Sequence, residues 1–392
     1  MKKTMLAAAT TLLTLPLAAQ QEGKVYDQKS LYETLAKVEQ KCDRFNFYLN
    51  MHNSFNSYFD DGFSGAKFRM DQLRIEAKGQ INDWISYRWR QRLNRHNNGS
   101  GTPDNLSSSI DFAAVAFNAT PNFKINVGKQ CTTYGGIEFD LNPIEIYQFS
   151  DMCEYMSCFM TGVNFIYDAP ASQQFCLQIL DAQSMKFADI YPNPSPAIEQ
   201  SKAPLLYTFN WNGSFLDGAI KTRWSASYMD EAKDKALWYY ALGNEFTFGP
   251  INAAFDWMYA REGLDRLGIV SEIANQNNKL RPNGYAVSNT KYMSYVLKVN
   301  YRVAPKWNLF VKGMLEDEGT YRAETGVEKG KYRTAYGYLG GIEYYPMKEN
   351  LRFFMTYIGR HYTYTDAAKK LGWNDNSTNQ ISCGFIYQLK MF

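Results

Sequence analysis

The chain has 392 residues, and its 16% aromatic content, which includes 29 Tyr and 8 Trp, is high for a soluble protein. Tyr and Trp favour membrane interfaces, where one end of the ring meets water. After the N-terminus no run of about 18 apolar residues occurs, which excludes transmembrane helices. The 42 Lys and Arg nearly balance the 39 Asp and Glu, so the overall charge does not point to a nucleic-acid partner.

Residues 1–19 have the pattern of a signal peptide. Lys2 and Lys3 precede an apolar run over 5–17, and alanines at positions 18 and 19 supply the small residues of a cleavage site. The alternative is a short buried helix. The sequence therefore predicts a protein that is exported from the cytoplasm.

Residues 20–44 form a separate segment with a heptad pattern. Apolar residues recur at spacings of four and three, at Leu31, Leu35, Val38, Cys42 and Phe45. This pattern predicts a short N-terminal periplasmic helix, which is too short to be stable alone. It would form a small coiled coil if the protein is a trimer, or otherwise one amphipathic helix under the domain.

From Phe45 to the C-terminus the apolar period changes from helical to two, as in strands with one apolar face. The strand candidates are 45–58, 67–81, 84–94, 110–119, 122–129, 157–167, 174–181, 205–216, 219–229, 237–248, 251–261, 292–303, 307–316, 332–345, 351–361 and 380–392. We therefore predict an all-β domain at 45–392 with about sixteen strands.

The connections between these strands alternate in length. Every second one is short and rich in turn formers, as at Asn82-Asp83, Asp217-Gly218 and Gly249-Pro250, and the others are mostly longer and polar. Outer-membrane barrels show this asymmetry, with short periplasmic turns and longer extracellular loops. A soluble sandwich has no reason to segregate its loops in this way. The order predicts a closed antiparallel transmembrane β-barrel with both termini in the periplasm.

The hairpin at 68–93 shows a charged face most clearly. In its second strand Ile85, Tyr87 and Trp89 share one face, and arginines occupy the other. A soluble sheet would bury the apolar face, whereas a membrane barrel turns it to lipid and turns the charged face to a pore. We predict that the pore wall is basic, with Arg74, Lys78, Arg88, Arg90, Arg92, Lys221 and Arg223 lining it.

The connection at 130–156 is long but rich in apolar residues, which predicts a loop that packs inside the barrel. Its acidic residues are Glu138, Asp140, Glu145, Asp151 and Glu154. We expect a constriction loop whose acids face the arginines of the wall, because opposed charge rows create a transverse field that orients dipolar solutes. The alternative is a folded surface loop.

Three segments carry a resemblance to a known family: FRMDQLRIEAKGQINDWISYRWRQRL (68–93), FNATPNFKINVGKQ (117–130) and the turn Tyr134-Gly135-Gly136. Together they resemble the phosphate-selective porin O and P family of Gram-negative outer membranes. The resemblance implies a heptad N-terminus, sixteen strands, a constricting third loop and a homotrimer. The acidic third loop departs from a purely cationic constriction, which affects the expectation of phosphate selectivity and leaves porin activity unaffected.

Nothing in the sequence indicates an enzyme or a bound cofactor. Only His52, His96 and His361 occur, without ligand or base partners at recognisable spacing. We therefore predict an outer-membrane porin for passive diffusion of small hydrophilic solutes, with a mild preference for anions. The alternatives are a channel specific for phosphate, polyphosphate or oligosaccharide, and a plugged barrel that serves as a structural protein or adhesin. The expected partners are outer-membrane lipid, the solutes and two further copies of the chain.

Overall fold

In a computed structural model, which describes residues 44–60, 62–95, 103–191, 193–347 and 350–391, the chain forms a closed antiparallel barrel of sixteen strands. Each strand pairs with its neighbours in sequence, and β1 closes the barrel against β16. The predicted fold class is therefore confirmed. The strands are β1 Asn46–Phe59, β2 Phe63–Asn82, β3 Ile85–Arg92, β4 Ile110–Thr120, β5 Phe123–Cys131, β6 Phe159–Ala169, β7 Gln173–Asp181, β8 Leu205–Phe215, β9 Ile220–Met229, β10 Leu237–Phe248, β11 Ile251–Leu264, β12 Ser288–Ala304, β13 Trp307–Thr320, β14 Gly330–Tyr344, β15 Leu351–Tyr364 and β16 Asn376–Lys390.

The helices of the described part are short and lie in the long connections. They are α1 Ile137–Asp140, α2 Asp151–Tyr155, α3 Phe187–Ile190, α4 Ile269–Asn275 and α5 Asp366–Lys369, with a 3₁₀ turn at Pro143–Glu145. Within the described ranges no helix is long and apolar enough to cross a membrane. The predicted signal peptide at 1–19 and nearly all of the predicted heptad helix at 20–44 lie outside the described residues.

The two faces of the barrel differ as the period-two pattern requires. Outward side chains are large, apolar and exposed, as at Phe209 and Val311, which are 52% and 59% exposed. The inward face of β2 and β3 carries charge, and the register places Glu76 opposite Arg90 and Lys78 opposite Arg88. The outer surface therefore suits lipid, and the charged residues face the lumen.

The half of the lumen nearest the long loops contains an apolar core. Three long connections fold inward to build it: loop 3, which we define as residues 132–158, and the connections that carry α4 and α5. Val270 of α4 and Met258 of the wall are 0% and 1% exposed within it. The core therefore lies inside the barrel at one end.

Candidate functional site

One carboxylate on β4 holds three arginines of the wall. The carboxylate of Asp111 lies 2.7 Å from Nε of Arg92 and 3.1 Å from Nε of both Arg74 and Arg90. Asp111 occupies a break in the register between β3 and β4, where Arg90 pairs with Phe112 and the next residue, Gln91, pairs with Ile110. This extra residue brings the carboxylate in among the three guanidinium groups.

A second carboxylate holds the remaining two basic residues of this wall. Nε of Arg88 donates to Oε1 of Glu76 at 2.7 Å, and Nζ of Lys78 lies 3.8 Å from the same oxygen. The guanidinium of Arg88 also lies 3.9 Å from the centre of the Phe112 ring, a distance at which a cation is attracted to an aromatic face. The predicted wall residues of β2 and β3 therefore form one connected group.

We call this group the basic cluster, and it consists of Arg74, Lys78, Arg88, Arg90 and Arg92. Its five cations share two carboxylates. With all seven groups charged, the formal charge of the cluster is about +3. Among the described residues, Nη1 of Arg74, Nη1 of Arg88 and both Nη atoms of Arg90 are buried without a hydrogen-bond partner. The cluster therefore has excess positive charge and buried donors without a partner.

Loop 3 starts from β5 and reaches the opposite part of the barrel. The carboxylate of Asp256 on β11 accepts hydrogen bonds from the backbone N–H groups of Ile137 at 2.6 Å and Glu138 at 2.7 Å. Gly135 has a positive φ of 88°, and a Cβ on Gly136 would lie 2.2 Å from Oδ1 of Asp256. The two glycines of the Tyr134-Gly135-Gly136 motif therefore let the loop backbone approach the wall.

Two acids of loop 3 bind basic residues on different strands. Glu138 forms an ion pair with Lys312 of β13 and accepts from Ser150 Oγ at 2.5 Å. Burial alone would raise the pKa of Glu138, but the nearby ammonium of Lys312 holds it below its usual range. Asp140 lies 3.5 Å from Nη1 of Arg223 on β9.

Further along the loop, Asp151 bridges two arginines. It pairs with Arg360 of β15 and accepts from Nη2 of Arg333 on β14 at 2.6 Å. Glu145 lies against the wall, and burial raises its pKa despite the opposing charge of Arg352. Loop 3 therefore crosses the lumen and contacts the wall from β9 to β15.

The expected pairing of loop acids with the predicted wall residues is found at Asp140, which lies beside Arg223, and the structure corrects it for Glu138 and Asp151. The loop acids Glu138, Asp140 and Asp151 pair with basic residues of β9 and of β13 to β15, and the basic cluster pairs with acids of β2 and β4. Glu154 is exposed at the end of α2. The two charge systems are therefore separate, because loop 3 extends past the basic cluster to the far wall.

The other two predicted wall residues lie below loop 3. Lys221 and Arg223 of β9 line a cavity of about 330 Å³ together with Asp140. Nζ of Lys221 lies 3.7 Å from Oε1 of Glu245 on β10. Residues of the short β6–β7 turn also line this cavity, which places it towards the end of the barrel with the short turns.

Sequence reasoning missed the partners that hold these groups in place. They are Asp111, Asp256, Lys312, Arg333, Arg352 and Arg360. Strand parity was a signal for Arg352 and Arg360, since both have the parity opposite to that of the outward residues Phe353, Met355 and Tyr357 on β15. No local signal marks Asp256, whose partners are 118 and 119 residues away in sequence.

Comparisons with known proteins agree with this geometry. The family model described as phosphate-selective porin O and P matches residues 45–389. No curated protein matches the chain.

Several solved structures share the fold at low identity. The outer-membrane channel DcaP of Acinetobacter baumannii is 12% identical, with 88% of this chain and 97% of that chain covered and a TM-score of 0.60. A trimer form of OmpT from Vibrio cholerae is 14% identical, with 88% and 99% covered and a TM-score of 0.52. OmpF of Salmonella typhi, in complex with daunomycin, is 11% identical, with 88% and 97% covered and a TM-score of 0.51.

Proposed function

Because the chain belongs to the phosphate-selective porin O and P family, we propose that it is an outer-membrane diffusion channel that passes small hydrophilic anions more readily than cations. Membership of this family and the barrel fold make the protein a passive porin of the Gram-negative outer membrane. The anion preference is the further step. It rests on the basic cluster, whose five cations share two carboxylates.

The physical reason for this preference is incomplete charge compensation at a buried wall. Charges lining a low-dielectric cleft act over a longer range than charges in open water. An anion near the cluster would gain both this attraction and the unpartnered guanidinium donors of Arg74, Arg88 and Arg90. Hydrogen bonds to charged groups contribute roughly 1.5–3 kcal/mol, so one such contact is enough to favour anions over cations.

Loop 3 would act as the constriction of this channel. Its anchors lie on β9, β11 and β13 to β15, so it divides the lumen instead of lying along one wall. A solute would pass between the loop and the basic cluster. We therefore expect a small conductance for a barrel of sixteen strands, which would be wide if its lumen were empty.

The test is the reversal potential in a salt gradient across a planar bilayer. We expect the wild-type channel to favour chloride over potassium. The triple variant R88Q/R90Q/R92Q should lose most of this preference, because Arg74 and Lys78 then only balance the two carboxylates. Equal permeability of the two ions in the wild type would overturn the proposed preference.

A charge-neutral change at the same place is the matched control. The double variant E76Q/R88Q removes one cation and one carboxylate, so the formal charge of the cluster is unchanged. It should keep the wild-type reversal potential if net charge sets selectivity. Adding phosphate or polyphosphate to the chloride bath then tests the substrate-specific alternative, because a specific anion would block the chloride current at low concentration.

The apolar core favours a second candidate, a plugged barrel with a structural or adhesive role. Loop 3, α4 and α5 fill the loop end of the lumen with buried side chains, and a barrel sealed in this way would pass little current. Swelling of liposomes in small neutral sugars discriminates the two functions. No swelling, with correctly inserted protein, would favour the plugged barrel.

A homotrimer is the oligomeric state that the family resemblance supports, and OmpT, a neighbour in fold, has been solved in a trimer form. Chemical cross-linking of the detergent-solubilised protein, read as the mass of the unheated species, tests this. Cross-linked protein that has only the mass of one subunit would contradict the homotrimer.

A further inference from the structure

The cavity below loop 3 differs in charge from the basic cluster, and we propose that it is a binding site for a small zwitterion with the chemistry of a free amino acid. The proposal rests on the channel function proposed above, since it assigns a solute to one binding position along that channel. It is argued from the position of the cavity, its paired charges and a donor of Arg223 that has no partner among the described residues.

The position of the cavity is that of a vestibule on the short-turn side. Ala169 and Ser172, at the β6–β7 turn, and Ser214 of β8 line its lower part, and Ile137 and Leu141 of loop 3 line it from above. Short turns face the periplasm in outer-membrane barrels. A solute that has passed loop 3 would therefore enter this space next.

The cavity is large enough for a single small solute. Its volume is about 330 Å³, and a water molecule occupies about 30 Å³ of the liquid. It therefore holds on the order of ten waters. An amino acid of moderate size would displace part of them and leave its hydrogen-bonding groups in contact with the remainder.

Charges of opposite sign lie side by side along one edge of the cavity. Arg223 and Lys221 are two residues apart on β9 and share its inward face. Each has an acid beside it, Asp140 at 3.5 Å and Glu245 at 3.7 Å. Charge-assisted hydrogen bonds are usually 2.7–2.9 Å long, so both pairs are looser than a fully formed ion pair.

This pattern suits a zwitterion better than a simple ion. A carboxylate attracted by Arg223 would be repelled by Asp140. An ammonium group attracted by Asp140 would be repelled by Arg223. An amino acid carries both charges a few bonds apart, so it can place its carboxylate on the arginine and its ammonium on the aspartate. The apolar side chains of Ile137 and Leu141 line the roof, where they can contact the amino-acid side chain.

Arg223 has a donor available for such a carboxylate. Its Nη1 donates to Oδ1 of Asn212 and its Nη2 to the carbonyl of Thr133, both at 3.3 Å. Its Nε is buried and, among the residues that the structure describes, has no hydrogen-bond partner. Only 6% of its side chain is exposed. A buried donor without a partner is costly, and a bound carboxylate would satisfy it.

The experiment is equilibrium dialysis of detergent-solubilised protein against labelled L-threonine, which measures binding whether or not the channel conducts. We expect saturable binding by the wild type. R223Q and D140N should each raise the dissociation constant about tenfold, as expected for the loss of one charge-assisted contact. The exposed-loop variant R322Q is the control and should bind as the wild type does.

Ligand analogues test the same idea on the unmodified protein, so the result does not depend on whether a variant folds. N-acetyl-L-threonine keeps only the negative charge and L-threonine amide keeps only the positive charge. Both should bind at least about tenfold more weakly than L-threonine. Equal binding of the acetylated analogue would replace the zwitterion site with a plain anion site, and no binding of L-threonine would overturn the inference.

Failure of this inference is distinguishable from failure of the proposed function. The reversal potential and the liposome swelling report on the channel and its anion preference. The dialysis reports only on the cavity. A conducting channel that does not bind L-threonine would refute the site alone, and a bound amino acid in a barrel that does not conduct would refute the channel alone.

Discussion

Replacing Asp256 with asparagine should loosen loop 3 without changing the size of the side chain. The Asp256 carboxylate is 2% exposed and accepts from two successive backbone N–H groups, at 2.6 and 2.7 Å. Asparagine has one oxygen to accept with, and its NH₂ group would face the second N–H. One hydrogen bond is therefore lost, and the remaining one no longer involves a charged acceptor.

The size of the effect follows from the bonds that change. A hydrogen bond to a charged group contributes roughly 1.5–3 kcal/mol, so about 2 kcal/mol is a reasonable loss for the docked loop. Since 1.4 kcal/mol corresponds to a tenfold change, the ratio of undocked to docked loop should rise about thirtyfold. The ion pairs of Glu138 and Asp151 remain, so the loop should stay docked for most of the time.

Single-channel recording at neutral pH measures this directly. We expect D256N to show more frequent openings to a larger conductance, because a displaced loop widens the lumen. D375N is the matched control, since Asp375 pairs with Lys369 at an exposed loop and does not touch loop 3. Wild-type conductance and noise in a correctly folded D256N channel would refute the assignment of loop 3 as the constriction.

Three further changes act on the same inward-folded loops. Because Lys312 holds the pKa of Glu138 below its ordinary 4.5, this ion pair stabilises the docked loop above that pH and loses its contribution as the pH falls through the lowered value. Channel noise should therefore rise when the bath is acidified below the ordinary pKa of Glu138, and noise that stays constant there would contradict the role of this ion pair. G136A should increase noise, since its Cβ would lie 2.2 Å from the anchoring carboxylate, and G313A, where nothing lies within 4 Å, should not. V270D places a charge in the apolar core, where the side chain of Val270 is 0% exposed. It should displace α4 and so raise both the conductance and the rate of liposome swelling. An unchanged rate of liposome swelling would contradict this.

The barrel could be predicted because its signals are local and repeated. Alternation of apolar and polar residues, together with short turns at every second connection, gives the strand number and the direction of each strand. Strand ends were less well predicted. β2 begins at Phe63 and β12 at Ser288, about four residues earlier than the apolar pattern indicates, because strands continue to pair beyond the lipid-facing region where that pattern ends.

The contacts inside the lumen could not be predicted in the same way. Parity alone places Arg88, Arg90 and Arg92 on one face, but their main partner depends on the break in the β3–β4 register at Asp111. The pair between Glu138 and Lys312 joins residues 174 apart in sequence. Such contacts depend on where the loop lands after the barrel closes, and no spacing in the sequence encodes this.

The placement of loop 3 also decides what its acids do to the field in the lumen. Acids facing the basic cluster would have cancelled its charge and left a weakly selective pore. Instead Glu138 and Asp151 pair with cations of the far wall, where Glu318 and Glu316 also pair with Arg333 and Arg360. The loop acids therefore leave the excess positive charge of the basic cluster in place, so an acidic constriction loop and an anion-preferring pore are compatible in the same barrel.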